Sequence, residues 1–415
     1  MYRFTSRLAP WLAFLVPALA GGAAAPDGAP PELARLVAGL LDTHPEAEAA
    51  RARLEVSAAA LRGAARAVYN PELELDTEDI ADVRTSYVQL SQTIDLGDRR
   101  GARTQAAEAA LAAARARMQR RLQELARDAL VALGEHAGRA ELARLAERRL
   151  ELMRDFARVA ERRARAGDLG PAELNLARLA LNEAVVRAAE ARSAAMEARE
   201  NLRTLFDPLP DPLPPLPRAL PEARLPADLD DFVLTLPVMR AARAAAEAAR
   251  ARVALRRAEK AWDPTIAVRT GSEGDESLAG LTFTLPLNVR NPFTAEVEAA
   301  EAEFLAAEKS AQQRYRLTRA ELVSVSGRYR LTRQAWLDWE RTGRTSIQRQ
   351  LALLERLWKS GDMSTADYLV QVQQTLDTQA AGIELRERLW RNWADWLLAT
   401  GRIFTWLHIT QTGSK

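Results

Sequence analysis

The sequence predicts a mainly α-helical protein with a small β part, built from two tandem repeats. Three observations predict it. Two stretches, roughly 98–165 and 294–359, keep a helical period without a proline. Four short stretches alternate apolar and polar residues instead, the period of a strand. And one motif occurs twice. Gly167-Asp168-Leu169 is followed by Glu173, and Gly361-Asp362-Met363 by Asp367, each carboxylate six residues after its glycine. The offset, 361 − 167 = 194, is close to half of the 415 residues. A duplication of this length outranks any local reading.

Residues 1–25 read as a signal peptide. Arg3 and Arg7 form the basic end, Leu8 to Ala20 is the apolar run, and Ala18-Leu19-Ala20 supplies a small-x-small cleavage pattern. The first repeat is expected over 26–206. A helix over 32–67 ends near Tyr69-Asn70-Pro71, because the residue before proline is pushed out of the helical region. Leu73 and Leu75 then alternate with Glu72, Glu74 and Asp76, and Val88, Leu90 and Ile94 alternate with Gln89, Ser91 and Thr93. Thr77 to Thr85 is expected as the hairpin loop. The long helix follows, with Leu111, Met118, Leu122, Leu125 and Ala129 spaced as in a coiled-coil seam. At 1.5 Å per residue it would be roughly 100 Å long. The Gly167 tip turns the chain, and a helix runs from Pro171 to about Leu205.

Residues 207–229 form a linker. The eight prolines between positions 208 and 226 suit an extended segment rather than a core. The second repeat is expected over 230–402. Leu236-Pro237 matches His44-Pro45 as a helix start, and Trp262-Asp263-Pro264 matches Tyr69-Asn70-Pro71. Ile266 and Val268 alternate as Leu73 and Leu75 do, Gly271 to Ser277 is a polar loop, and Leu281, Phe283 and Leu285 alternate again. The second long helix carries Tyr315, Leu322, Val325, Tyr329 and Trp336 on one seam. The Gly361 tip and a helix to about Leu398 close the repeat, leaving 403–415 as a tail.

The totals exclude several functions. Lys plus Arg is 58 and Asp plus Glu is 56, a formal charge of +2 that falls to zero without Arg3 and Arg7. A nucleic-acid binder would show a basic excess. Cysteine is absent, which excludes disulfides and thiolate metal sites. His44, His136 and His408 share no ligand spacing, and His136 reads as a surface residue, so no metal site or cofactor is expected. There is no phosphate loop, metalloprotease helix or nucleophile elbow, so an enzyme is not expected. No segment has 18 uninterrupted apolar residues, the length of a transmembrane helix. Trp390, Trp393 and Trp396, at helical spacing, read as packing of the last helix.

Two strands per repeat give four per chain, too few to close a barrel, and open edges are not tolerated in lipid. Leu73, Leu75, Val88, Leu90, Ile266, Val268 and Phe283 give the strands one apolar face opposite a polar one, as in a membrane barrel. Tyr69 and Trp262, matched at the strand starts, suit a membrane-interface position. Several chains would have to pool their strands. A soluble hairpin packed on a helix alternates in the same way.

Asn70-Pro71-Glu72-Leu73, the run Leu90 to Arg100, Ala166-Gly167-Asp168-Leu169, Asp263-Pro264, Leu281 to Asn288 and Ser360-Gly361-Asp362 resemble the TolC-type outer-membrane factor family. The resemblance covers essentially all of the chain after residue 25. Leu90 to Arg100 is most similar to the CzcC-like heavy-metal efflux branch. Leu287-Asn288 departs from it, lacking the glycine that Gly97 supplies in the first copy. The resemblance implies a homotrimer whose twelve strands form one outer-membrane β-barrel and whose helical hairpins form a periplasmic tunnel. It implies an exit duct in contact with outer-membrane lipid, a periplasmic adaptor and an inner-membrane pump of the resistance-nodulation-division class. The cargo would be heavy-metal cations, with drugs or a secreted polypeptide as alternatives. It places adaptor docking at Gly167, Asp168, Leu169, Gly361, Asp362 and Met363, and a pore constriction at Glu173 and Asp367. Glu173 and Asp367 are also at the third position of a helix start, where a carboxylate caps orphan N–H groups. The rival of another class is a soluble periplasmic coiled-coil adaptor or scaffold. Such adaptors usually carry one hairpin between β-rich domains.

Overall fold

The structure, a computed structural model, describes residues 28–80 and 83–409. The signal segment 1–25 and residues 410–415 of the tail lie outside the described residues. Helices α1 (Pro31–Thr43) and α2 (Pro45–Ala64) precede strands β1 (Glu72–Ile80) and β2 (Val83–Thr93). Then come α3 (Arg99–Arg165) and α4 (Pro171–Arg203). After the linker, α5 (Leu229–Thr235), α6 (Pro237–Ala258), β3 (Thr265–Glu273), β4 (Glu276–Thr284), α7 (Thr294–Ser360) and α8 (Thr365–Ala399) repeat the order. A short helix α9 (Ile403–Trp406) follows.

Pro45 splits the helix expected over 32–67. It takes the first position of α2, where its missing N–H costs nothing, and His44 before it is extended with its ring accepting the Glu46 N–H. Helices α3 and α7 are 67 residues each, hence about 100 Å long. The hairpin strands are longer than their side chains suggest. Pairing continues to Ile80↔Val83 and Glu273↔Glu276, so most of Thr77–Thr85 and Gly271–Ser277 is ladder rather than loop. Polar side chains there conceal strands that are held by backbone hydrogen bonds.

The four strands form one antiparallel sheet in the order β1-β2-β3-β4. Leu73 lies opposite Leu90, Leu90 opposite Val268, and Val268 opposite Leu281. This row and its neighbours make one face apolar, and it is bare: Leu75 is 72% and Leu281 75% exposed. The largest core lies elsewhere. It joins α1, mid-α3 and the end of α8, with Tyr329, Trp390, Trp393, Trp396 and Trp406. The linker is held against α7, where the Tyr329 hydroxyl donates to the Pro221 carbonyl at 2.6 Å and Arg333 Nε to Leu220 O at 3.0 Å. The start of the expected tail is part of this core, since Ile403, Phe404, Trp406 and Leu407 are buried.

Candidate functional site

The two hairpin tips are built alike. Gly167 and Gly361 have φ of +84° and +86°, a left-handed turn that only glycine adopts without strain. The Asp168 N–H donates to Arg163 O at 2.9 Å, and the Asp362 N–H to Leu357 O at 3.0 Å, which satisfies the last carbonyls of α3 and α7. Leu169 and Met363 are half-buried against a shared apolar cluster, while Asp168 and Asp362 are exposed.

Glu173 and Asp367 each sit in the first turn of the following helix. Glu173 Oε2 accepts from the Gly170 N–H at 3.2 Å. Asp367 donates its backbone N–H to Ser364 Oγ at 3.1 Å and accepts the Ser364 hydroxyl at 2.7 Å. Gly170 has no side chain, so only the returning half of the capping box exists in the first repeat.

The fold brings the two tips together. Phe156 of α3, Trp358 of α7 and Tyr368 of α8 pack with ring centroids 4.5 to 5.1 Å apart. Arg163 lies over the Trp358 ring, its Cζ 5.8 Å from the centroid. Burial pushes the Tyr368 hydroxyl up to about 12, with Glu355 adding a smaller push in the same direction. This aromatic contact between repeats escaped the sequence reading, because Phe156 lies more than 200 residues from Trp358 and Tyr368 along the chain.

At the other end a polar joint binds sheet to helices. Asp263 is 3% exposed. Its carboxylate lies 2.9 Å from Arg99 Nε, accepts the Tyr69 hydroxyl at 2.8 Å and accepts the Leu96 N–H at 3.2 Å. Arg99 also donates to Glu259 O at 3.1 Å and Ala261 O at 2.8 Å, capping the end of α6. Gly97 fits here for want of space: a Cβ would come 2.4 Å from the Ala261 side chain and 2.8 Å from Ala258 O. Asn288, where the second copy lacks the glycine, donates Nδ2 to Lys260 O at 3.3 Å. The matched aromatics therefore differ. Tyr69 is half-buried in the joint, whereas Trp262 is 47% exposed.

The polar face of the sheet carries a second feature missed in the sequence. Pairing aligns Glu74 with Gln89, Arg269 and Gly280, and Glu78 with Thr85, Glu273 and Glu276. Glu72, Glu74, Asp76, Glu78, Glu273 and Glu276 thus share one face with Arg269. The alternation of carboxylates at 72, 74 and 76 was the available signal.

Among the described residues no group of three or more His, Asp or Glu side chains could hold a metal ion, and no helix is long and apolar enough to cross a membrane. His136 is not a surface residue: it is half-buried on α3, and burial lowers its pKa, with Arg199 and Arg144 pushing the same way.

No family model matches the chain. A curated relative, the cobalt-zinc-cadmium resistance protein CzcC of Cupriavidus metallidurans, is 28% identical over 262 residues. The match spans 58% of this chain and 61% of that protein's length. A structure of CusC, titled for its folding and transmembrane channel formation, superposes with a TM-score of 0.75 at 15% identity and covers 89% of this chain and 92% of its own. The CmeC outer membrane channel of Campylobacter jejuni gives 0.76 at 14% identity, covering 96% and 94%. The outer membrane protein VceC of Vibrio cholerae gives 0.72 at 17%, covering 89% and 96%. Of these, CmeC is described as an outer membrane channel and VceC as an outer membrane protein, and CusC is described as forming a transmembrane channel. The chain thus shares the fold of these solved outer-membrane proteins, mostly helical with a small four-stranded antiparallel sheet, and has a CzcC-like relative in sequence.

Proposed function

We propose that the chain is the outer-membrane exit duct of a tripartite efflux system and passively conducts heavy-metal cations outward. One observation carries this reading: an open four-stranded sheet, apolar and bare on one face, stands on helical hairpins about 100 Å long. Unpaired strand edges and an exposed apolar sheet are unstable in water, and open edges are equally unstable in lipid. Closure by further copies satisfies both requirements. Three copies would supply twelve strands to one barrel and place the sheet's apolar face on lipid.

The duct does no chemistry on its cargo. Its part is to hold a wet path open and to bias what enters it. With lipid on the apolar face, the face carrying Glu72, Glu74, Asp76 and Glu78 lines water, and six carboxylates against Arg269 raise the local concentration of cations. Glu173 and Asp367, beside the tips, would add a ring of six carboxylates in a trimer at the opposite, periplasmic end. Gly167, Asp168 and Leu169 with Gly361, Asp362 and Met363 form the surface offered to a periplasmic adaptor, through which an inner-membrane pump delivers cargo. Tyr69 and Trp262 stand where the barrel would leave the membrane interface. Metal is the favoured cargo because CzcC is a cobalt-zinc-cadmium resistance protein.

The test is a deletion strain carrying the full chain on a plasmid. Restored tolerance to cobalt, zinc or cadmium, with the protein in the outer-membrane fraction as a heat-modifiable trimer, supports the reading. Recovery of the chain in the soluble periplasmic fraction would favour an adaptor or scaffold instead.

A further inference from the structure

Two cavities lie at corresponding places on the two helical hairpins, and their linings differ. In the first repeat a cavity of about 290 Å³ is lined by Leu142, Leu145 and Ala146 of α3. In the second a cavity of about 250 Å³ is lined by Trp336, Trp339 and Glu340 of α7. These are the same positions one repeat apart, since 336 − 142, 339 − 145 and 340 − 146 are each 194. The charges around the first cavity are already satisfied. Arg139 pairs with Glu387 at 3.8 Å, Arg149 with Asp377 at 3.1 Å and Arg187 with Glu183 at 2.7 Å.

The second cavity keeps free charge. Glu141 of α3 and Arg386 of α8 face each other at 3.4 Å. Arg218 of the linker and Glu340, which also line it, have neither an ion pair nor a hydrogen bond among the described residues. Its aromatic wall is seated by glycine. The Trp339 ring lies across Gly382 of α8, where a Cβ would come 2.3 Å from Cζ2, and against Gly343 of its own helix, where a Cβ would come 2.7 Å from Cε3. No glycine is needed where Leu145 stands: the counterpart of Gly382 is Ala188 (382 − 194), buried in the same cluster as Leu145. Trp339 itself belongs to no buried cluster among the described residues, so packing of the core does not account for it. Ile347 and Ile383, both buried, complete the apolar wall.

We propose that this second cavity binds a zwitterionic amino acid with an aromatic or branched side chain. Arg218 takes the carboxylate in a charge-assisted pair. Glu340 takes the ammonium group, to which the face of the Trp339 ring adds a cation–π attraction. The apolar side chain goes against Trp336 and the two isoleucines. Glu141 and Glu340 balance Arg218 and Arg386 around the cavity, which favours a ligand of no net charge over an anion or a cation. Volume sets the size: about 250 Å³ is below the ~300–1,000 Å³ of drug-sized sites. None of these residues belongs to the tips, the sheet or the Asp263 joint, and the proposal is independent of what the duct conducts.

The test is calorimetric titration of the detergent-solubilised full-length chain with L-phenylalanine. Binding should saturate at one molecule per chain. Phenylalanine amide, which lacks the carboxylate, and N-acetylphenylalanine, which lacks the ammonium group, should each bind at least tenfold more weakly. Three variants assign the contacts. Arg218→Gln should abolish the preference for the acid over the amide, and Glu340→Ala the preference for the free over the acetylated amine. Trp339→Leu should weaken phenylalanine itself at least tenfold. Leucine and alanine are the residues that the first repeat carries at the last two positions, and Arg218 and Glu340 are exposed, so these two variants decide the matter even if the loss of Trp339 disturbs the fold. Absence of saturable binding, or binding unchanged by Arg218→Gln and Glu340→Ala, overturns the site. Equal binding of either blocked form to the unaltered chain overturns the zwitterion as its ligand.

Discussion

Asp263 shows how one buried side chain can govern the attachment of a whole sheet. Its carboxylate holds Arg99, Tyr69 and the Leu96 N–H, so the first repeat's strand exit and the second repeat's strand entry are fixed to each other. Removing one partner of a buried ion pair leaves the other uncompensated. Arg99 keeps 23% exposure and two carbonyl partners, which softens the loss. Asp263→Asn should cost about 3 kcal/mol and Tyr69→Phe about 1 kcal/mol, measured by denaturant unfolding of the detergent-solubilised protein. Equal losses for the two variants would mean that the hydroxyl bond, not the ion pair, holds the joint. This residue was half legible. Trp262-Asp263-Pro264 stood out as the partner of Tyr69-Asn70-Pro71. What a motif cannot reveal is that Tyr69 reaches across to Asp263, because that contact depends on how the two repeats pack.

At the scale of elements, the hairpins were legible nearly to the residue. Helix α3 begins and ends within a residue of the expected limits, since proline, glycine and the loss of apolar period mark helix ends locally. The tips rest on glycine for a backbone reason alone. A Cβ on Gly167 would meet nothing within 4 Å, and on Gly361 only Arg163 Nη2 at 3.9 Å. Gly167→Ala and Gly361→Ala should therefore each cost about 1–2 kcal/mol, the penalty of a left-handed L-residue, and cost nearly the same in a thermal melt. A much larger loss at either site would show a packing role that the open space does not predict. The aromatic contact behind the tips was not legible, as its strength comes from packing between distant segments. Trp358→Ala should cost about 3–5 kcal/mol. Tyr368 adds a pH signature. Its hydroxyl, ordinarily at 10, is raised to about 12 in the folded chain because burial disfavours the phenolate. The folded state thus binds that proton more tightly than the unfolded state does. The stability it contributes is full below pH 10 and is lost as pH climbs from 10 towards about 12. Tyr368→Phe, measured by melting temperature across that range, should flatten the decline; an unchanged slope would assign the alkaline loss to other groups.

For the whole molecule, the decisive quantity is where charge lies relative to the two faces of the sheet. A net charge of +2 says nothing of it. The sequence reading found the alternation and the apolar face, but the polar face acquires its sign only when four strands are set in register and the carboxylates of β1 line up with Glu273 and Glu276. Those groups fall at the hairpin-turn end of the sheet and along its β1 edge, while Glu173 and Asp367 lie at the far end of the helices. A wide water-filled barrel screens fixed charge strongly, with a Debye length of about 10 Å at 0.1 M salt and about 30 Å at 0.01 M. A narrow periplasmic end would be screened less. Two locations of charge therefore make separable predictions in planar bilayers under a salt gradient. Neutralising Glu72, Glu74, Asp76 and Glu78 to their amides should lower the cation preference several-fold at 0.01 M and little at 0.1 M. Neutralising Glu173 and Asp367 to Gln and Asn should lower it at both, provided that they face a constriction. If selectivity persists at both salts in the second variant, Glu173 and Asp367 serve as helix caps, the role that their bonds to Gly170 and Ser364 already fulfil, and the acidic sheet face carries the preference.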